Sequence, residues 1–176
     1  MIRHRLFLLL AVAVAVIAVG CSRTELSQQD QIDIYAAVIR QLAGPDDTGG
    51  GALDKPILYI IRQTNDRAGD PGLDAGEQVV LSDELQQGIT AALDDLPPEI
   101  IWIDGREELT FDEEGFVAGG GVILTLGNIR PQSGGKVQVA GSIYFASLGA
   151  GGQTYVLARQ GEEWVVTGNT GTQWIS

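Results

Sequence analysis

The sequence predicts an α+β domain in which two N-terminal amphipathic helices pack on a mainly antiparallel sheet that ends in a four-stranded C-terminal meander. Three observations lead to this prediction. Two helical stripes alternate with two short apolar strands up to residue 103, only strand-like segments follow, and short turns join the last four of them. Helices that precede an unbroken run of strands are typical of proteins whose helices cover one face of an antiparallel sheet.

The first helix is predicted by apolar residues that recur every three or four positions over residues 32–43. Ser27 is a suitable N-cap, and Asp30 in the first turn complements the positive end of the helix dipole. The Gly-Pro pair at 44–45 ends the helix, and a polar glycine-rich loop follows over residues 46–51.

The first strand is predicted over residues 56–61, where a continuous apolar run indicates a strand that is covered on both faces. A long acidic loop follows over residues 64–80. Ser82 is the expected N-cap of the second helix, whose apolar stripe runs from Leu85 to Leu96 and ends at two prolines.

Every further element is predicted to be a strand. Residues 100–103 form a second apolar run, and residues 109–117 are expected to form a hairpin. Because only short turns separate the remaining strands, neighbouring strands are expected to pair antiparallel. These meander strands are expected at residues 122–129, 137–148, 154–159 and 164–167.

Composition excludes several classes of protein. The 176 residues include one His, one Met and one Cys, with 11 Lys and Arg against 23 Asp and Glu. After Gly20 the chain has no His and a single Cys, and its nine basic and 23 acidic residues give a net charge of −14. A His-based catalytic triad, an internal disulfide and a zinc site made of His and Cys are therefore excluded. A surface this negative also disfavours nucleic acid.

Residues 1–20 have the plan of a secretory signal. Two arginines give the N-terminal region a positive charge. Fourteen apolar residues follow from Leu6 to Val19, which is fewer than the ~20 that a membrane-spanning helix needs. The sole cysteine, Cys21, comes directly after this segment and follows two small residues. The pattern resembles a bacterial lipoprotein precursor, although Ala18 stands where that class usually has Leu.

The resemblance implies that the signal is removed before Cys21, which then carries the acyl chains that anchor the protein in a membrane. It divides the chain into a signal peptide (1–20), a lipidated cysteine with a short tether (21–28) and a single globular α+β domain (29–176). It implies a place on the outer face of the cytoplasmic membrane or, since Ser22 follows the cysteine, in the outer membrane of a cell with two membranes. Cleavage by an ordinary signal peptidase and an uncleaved membrane anchor are the alternatives.

The element order of the remaining chain resembles the cystatin-like and nuclear-transport-factor-like cone folds, which open with helices and finish on a curved meander. The strand between the two helices departs from those folds. The resemblance implies a small-ligand pocket between the helices and the concave face of the sheet. Gln138, Ser142 and Tyr144 share one face of the predicted strand 137–148, and this hypothesis expects that face to line the pocket.

Two groups of carboxylates suggest other chemistry. The acidic loop offers oxygen ligands of the kind that Ca²⁺ prefers, but their spacing is not that of an EF-hand, and a solvated loop is expected instead. Asp104 with Glu107 or Glu108, beside Trp102, suggests a carboxylate-based hydrolase. The simpler interpretation of the second group is a polar strand end. In the first group, the acidic loop over residues 64–80, the four carboxylates that could bind Ca²⁺ are Asp66, Asp70, Asp74 and Glu77.

Two short motifs are expected to be turns. Ser133-Gly-Gly-Lys136 fits the Ser-x-x-Lys motif of penicillin-binding enzymes, but it lies between strands and not at the start of a helix. The glycine-rich residues 149–152 suggest a phosphate loop, yet they lead into a strand. Trp164 and Trp174 are expected to pack in the core.

These observations favour a non-catalytic binding or structural module of the cell envelope that uses no cofactor and no metal. A small-ligand pocket between helices and sheet is the first alternative, and a carboxylate-based hydrolase is the second. The sequence identifies the membrane as a partner through Cys21, but it does not identify a protein or small-molecule partner.

Overall fold

The computed structural model describes residues 26–176. These residues form one mixed sheet of seven strands and two α-helices, which confirms the predicted α+β class. Cys21 and the export segment lie outside the described residues. In the described part of the chain, neither helix has the length and apolar character needed to cross a membrane.

The regular elements have the following bounds. The helices are α1 (Gln28–Ala43) and α2 (Asp83–Ala92). The strands are β1 (Ile57–Ile61), β2 (Glu99–Ile103), β3 (Val122–Leu126), β4 (Arg130–Pro131), β5 (Lys136–Ala146), β6 (Gly149–Gln160) and β7 (Glu163–Ile175).

Both helices begin where the sequence predicts. The Ser27 hydroxyl accepts a hydrogen bond from the Asp30 amide at 3.1 Å, and the Asp30 carboxylate accepts one from the Ser27 amide at 3.0 Å. This reciprocal pair is a capping box, which satisfies two backbone donors at the start of α1. Ser82 caps α2 in the same position. α2 ends at Ala92, earlier than predicted, although Leu93 remains buried in the core.

The order of strands across the sheet is β2-β1-β3-β5-β6-β7, and the short β4 pairs with β5. β1 is parallel to both β2 and β3, whereas all other pairs are antiparallel. The sequence does not predict the two parallel pairs. The segment that contains α2 connects β1 to β2, and residues 104–121 connect β2 to β3. Each connection runs back along the strands before the next strand begins, so that β2 and β3 both run in the same direction as β1.

Residues of β1 alternate between two apolar layers. Leu58 and Ile60 are fully buried against the helices in the main core. Tyr59 and Ile61 belong to a smaller cluster on the opposite face, which residues of the 104–121 segment cover. The strand is thus covered on both faces, as its continuous apolar run predicts.

β3, β5, β6 and β7 are successive neighbours and pair antiparallel, so the described chain contains the predicted meander. Two predicted boundaries are wrong: residues 149–152 belong to β6 and do not form a turn, and β7 extends to Ile175. Glycine is needed in this part of β6 because other segments approach it closely. A Cβ atom on Gly152 would lie 2.1 Å from the carbonyl oxygen of Ala68.

The acidic loop packs on the face of the sheet opposite the helices. Its residue Ala68 is buried, and the indole nitrogen of Trp174 donates to the Ala68 carbonyl oxygen at 2.9 Å. Thr154, which alternates with the core residue Tyr155 and therefore faces away from the helices, is buried beneath this loop. Trp164 lies in the main core as predicted. Trp174 does not belong to that core and instead donates a hydrogen bond to the acidic loop.

An exposed ion pair links the two helices and makes stability depend on pH. Arg40 of α1 binds Asp95 just after α2 and also donates to the Ala92 carbonyl oxygen at 2.8 Å. The hydrogen bond from Arg40 lowers the pKa of Asp95 below its ordinary value of 3.8. A carboxylate with a lowered pKa stabilises the folded state fully above its ordinary pKa and loses that contribution as pH falls through the lowered value.

We expect Asp95→Asn to lower the urea midpoint of unfolding slightly at pH 7, because an exposed pair contributes little and is screened by salt. The difference between the variant and the unchanged chain should shrink as pH falls below 3.8 toward 2, because Asp95 becomes protonated. Asp94→Asn is the matched control, since it removes the same charge without removing a hydrogen bond to Arg40. A difference that persists unchanged at pH 2 would contradict this account.

Candidate functional site

A groove of about 1400 Å³ lies beside the start of α1. The first half of α1 and the start of α2 form one side, and the hairpin that joins β4 to β5 forms the other. The end of the acidic loop and the paired ends of β6 and β7 complete it. We call this feature the α1 groove. Leu26, the first described residue, is part of its lining.

Much of the lining of the α1 groove is apolar. Two of these residues, Val79 and Val80, are 44% and 58% exposed, although both are large aliphatic side chains. Apolar surface that is left open in a concave site is typical of a surface that binds another molecule. The apolar lining residues are Leu26, Val79, Val80, Leu81, Leu85, Ile129, Pro131, Val137 and Trp164.

A buried carboxylate organises the inner part of the groove. Asp30 is 8% exposed, and its carboxylate binds the guanidinium of Arg159 and accepts from the indole nitrogen of Trp164 at 2.8 Å. The Arg159 guanidinium also lies over the Trp164 ring, 5.3 Å from its centroid. These contacts join α1 to β6 and β7. The carboxylate, the guanidinium and the indole N–H are thus held in place by one another, as in a pre-formed site.

Tyr35 is the next polar residue along the groove. Its hydroxyl donates to the Gly127 carbonyl oxygen at 3.2 Å. Burial raises the pKa of Tyr35, and the negative charge of Asp66 raises it further. The hydroxyl therefore stays protonated at neutral pH and acts as a hydrogen-bond donor.

Hydrogen bonds fix the apolar rim formed by Val79 and Val80. The Val79 amide donates to the Thr64 hydroxyl at 2.9 Å, and that hydroxyl donates to the side-chain oxygen of Asn128 at 2.8 Å. Asn128 in turn donates through its backbone amide to Asp66 at 2.8 Å. These hydrogen bonds connect both ends of the acidic loop to the segment after β3. The position of Val79 and Val80 is therefore fixed by contacts outside the loop.

The structure does not assemble the acidic loop into a cation site. Asp66 is buried and directed to Asn128, whereas Asp70 accepts from the Gly72 amide in a local turn at 2.8 Å. Nowhere in residues 26–176 do three or more carboxylates come together as metal ligands. The first carboxylate of the loop is used to satisfy one backbone donor in another segment, the amide of Asn128.

The predicted hydrolase carboxylates are not brought together in a cleft. Asp104 is exposed and pairs with Arg62 at 3.0 Å. Glu108 accepts a hydrogen bond from the Asp104 amide at 2.6 Å, and this contact closes the short 3₁₀ turn Arg106–Glu108. Trp102 packs against the main core instead and donates to the Thr90 hydroxyl at 3.0 Å.

The predicted position of the ligand pocket is wrong. Gln138, Ser142 and Tyr144 lie on the face of β5 away from the helices, because Val137 and its alternate neighbours take the helix side. Tyr144 donates instead to the Gly115 carbonyl oxygen at 3.0 Å. The α1 groove lies instead beside the start of both helices and not against the middle of the sheet.

The Ser-x-x-Lys segment forms a turn, as predicted. Ser133–Gly135 is a short 3₁₀ turn between β4 and β5, and Gly134 and Gly135 have φ angles of 74° and 71° that favour glycine. Lys136 starts β5. The sequence predicts only a turn here and does not reveal that this turn lines the α1 groove.

Two smaller cavities are present in the described part of the chain. One of about 480 Å³ lies between α2 and the edge strand β2, and another of about 250 Å³ lies between the loop after α1 and the ends of β6 and β7. No family model, curated protein or solved structure matches the chain.

We expect Asp30→Ala to destabilise the domain by about 1–3 kcal/mol, because the buried indole N–H of Trp164 loses its acceptor. Removal of the capping box adds to this loss. Chemical denaturation measures the effect. Asp33→Ala is the matched control on the same helix, since Asp33 accepts only from the side chain of Gln29 and should cost less than about 0.5 kcal/mol. Equal effects of the two substitutions would show that Asp30 does not have the role described.

Proposed function

We propose that this protein is a lipid-anchored binding protein of the bacterial cell envelope, and that its α1 groove holds a small molecule with an apolar body. The observation that carries the proposal is the groove of about 1400 Å³ with its open apolar wall. Ligand sites are commonly concave, mostly apolar and supplied with a few fixed polar groups. The α1 groove has each of these properties.

The size of the groove favours an extended or bulky ligand. Sites for drug-sized molecules usually measure ~300–1000 Å³, and the α1 groove is larger. The exposed Val79 and Val80 provide surface that a hydrocarbon chain can cover. Each methylene group that is buried there contributes about 0.8 kcal/mol to binding.

The polar groups of the groove support binding better than catalysis. Asp30 is engaged by Arg159 and Trp164, so it is poorly placed to accept a proton from a substrate. Tyr35 keeps its proton because burial raises its pKa. Groups that are held in this way fix the shape of the groove and do not exchange protons with a ligand.

The proposed anchor places the groove near a membrane. Cys21 precedes Leu26 by five residues, which reach at most about 18 Å when fully extended. Leu26 itself lines the groove. An apolar ligand could then pass between the groove and the membrane surface over a short distance.

The groove is tested with Nile red, a neutral apolar dye, and purified residues 26–176. We expect Val80→Asp to weaken dye binding at least about tenfold, because a charge is placed on the apolar wall, while the unfolding midpoint changes little at this exposed position. Leu148→Asp is the matched control, since Leu148 is 91% exposed and does not line the groove. Dye binding that is absent, or equally reduced by both substitutions, would overturn the proposal.

The anchor is tested separately by metabolic labelling of cells with a palmitate analogue. We expect the full chain to be labelled and Cys21→Ala to abolish both the label and normal processing of the signal. A chain that keeps its N-terminus and its membrane fractionation after this substitution would indicate an uncleaved anchor. That result would leave the groove proposal unaffected.

A further inference from the structure

β2 lies at one edge of the sheet, and its outer backbone groups have no hydrogen-bond partner in the described part of the chain. In the parallel pair with β1, the Glu99 amide donates to the Pro56 carbonyl oxygen at 2.9 Å. Because alternate residues of a strand direct their backbone groups to opposite sides, the N–H and C=O groups of Ile100 and Trp102 point away from β1. Within residues 26–176 none of these four groups takes part in a hydrogen bond. They are therefore free to pair with another strand.

The two edges of the sheet differ in their protection against such pairing. The other edge strand, β7, shifts its register against β6 at two places, and its residues 167–173 are exposed and are all polar or glycine. Irregular pairing and a polar surface disfavour the addition of a strand. β2 pairs with β1 without a register shift, and four of its five residues are large and apolar. The edge at β2 is thus the one that is suited to accept a further strand.

A cavity of about 480 Å³ runs along this edge between α2 and β2, and we call it the α2 groove. Ile100 and Trp102 line it from the sheet, on the side where they pack against the main core. Asp83, Gln87 and Thr90 line it from α2, and their spacing of four and three places them on one face of the helix. The indole nitrogen of Trp102 donates to the Thr90 hydroxyl at 3.0 Å, so this face is turned toward β2. A strand added to β2 would direct alternate side chains into the α2 groove.

The charge of the α2 groove indicates what such a strand carries. In the part of the chain that the structure describes, the lining includes two carboxylates, Asp83 and Asp94, and no Lys or Arg. Asp83 is the first residue of α2 and Asp94 lies two residues beyond its end, so the carboxylates stand at opposite ends of a helix about 15 Å long. Two side chains four positions apart on a strand are separated by about 13 Å. A strand with two cations at that spacing therefore complements the groove.

We propose that the free edge of β2 binds an extended segment of a partner protein, which joins the sheet as an additional strand. The segment has one apolar residue that enters the α2 groove and a Lys or Arg two positions away on each side, which pair with Asp83 and Asp94. A second copy of this chain is disfavoured as the occupant, because it would bring the same carboxylates together. The surface is separate from the α1 groove, so the proposal does not depend on that groove or on the anchor.

The test uses the full chain, purified in the neutral detergent dodecyl maltoside, and fluorescein-labelled peptides of seven residues. The lysine peptide has lysine at its second and sixth positions, valine at the three positions between them and threonine at each end. The glutamate peptide has glutamate in place of both lysines. Fluorescence anisotropy measures binding, and we expect the glutamate peptide to bind at least about fivefold more weakly than the lysine peptide.

Backbone methylation tests whether the peptide binds as a strand. One derivative of the lysine peptide carries N-methyl groups at positions two, four and six, and another carries them at positions three and five. In an added strand only one of these sets faces β2, because backbone donors alternate between the two sides. We expect one derivative to bind at least about tenfold more weakly and the other to change by less than about twofold.

A charge reversal in the protein tests the position of the peptide. Asp94→Lys should weaken binding of the lysine peptide about two- to tenfold and should strengthen binding of the glutamate peptide. Glu162→Lys is the matched control, since it makes the same change of charge at an exposed position outside the α2 groove and should alter neither peptide's binding. Both substituted positions are exposed, so neither substitution should prevent folding.

Three outcomes would overturn the proposal. The first is absence of binding by the unmethylated lysine peptide. The second is an equal effect of the two methylated sets, or of Asp94→Lys and Glu162→Lys, which would show that the peptide does not pair with β2 beside α2. The third is a dimer of the full chain that the lysine peptide dissociates in analytical ultracentrifugation, which would assign the edge to a second copy.

Discussion

The fold of this protein depends on one buried carboxylate. Asp30 lies in the first turn of α1, where it completes a capping box with Ser27 and also binds Arg159 and Trp164 at the ends of two distant strands. A carboxylate is costly to bury unless it is paired and hydrogen-bonded, so these contacts must form together. They hold the start of α1 against the meander. The α1 groove opens at that junction, and Asp30, Arg159 and Trp164 form part of its lining.

Two long connections provide the second layer on the sheet. The acidic loop covers the part of the far face near β5 and β6, and residues 104–121 cover the part near β1. Their carboxylates mostly serve local structure: Asp66 accepts from a distant backbone amide, and Glu108 closes a turn. Because Asp66 and Thr64 secure the loop, Val79 and Val80 remain at the rim of the groove and not in the core.

Charge distribution separates the groove from the rest of the surface. Residues 26–176 carry 22 acidic and eight basic side chains, whereas the α1 groove combines an apolar wall with the ion pair of Asp30 and Arg159. The acid-rich composition is visible in the sequence, and Lys136 is noticed there as part of a Ser-x-x-Lys segment. That the turn before Lys136 lines the same groove as Asp30 and Arg159 is not visible, because these segments are distant along the chain.

The sequence by itself determined the local structure. The serine caps of α1 and α2, the apolar runs of β1 and β2, and the short turns of the meander all depend on residues a few positions apart, where periodicity and turn chemistry act directly. Only the tertiary structure decided that β1 lies parallel between β2 and β3, that β6 begins at Gly149, and that Asp30 meets Arg159 across 129 positions. These features depend on which distant segments pack against each other. The pattern of residues along one segment does not specify the segment with which it packs.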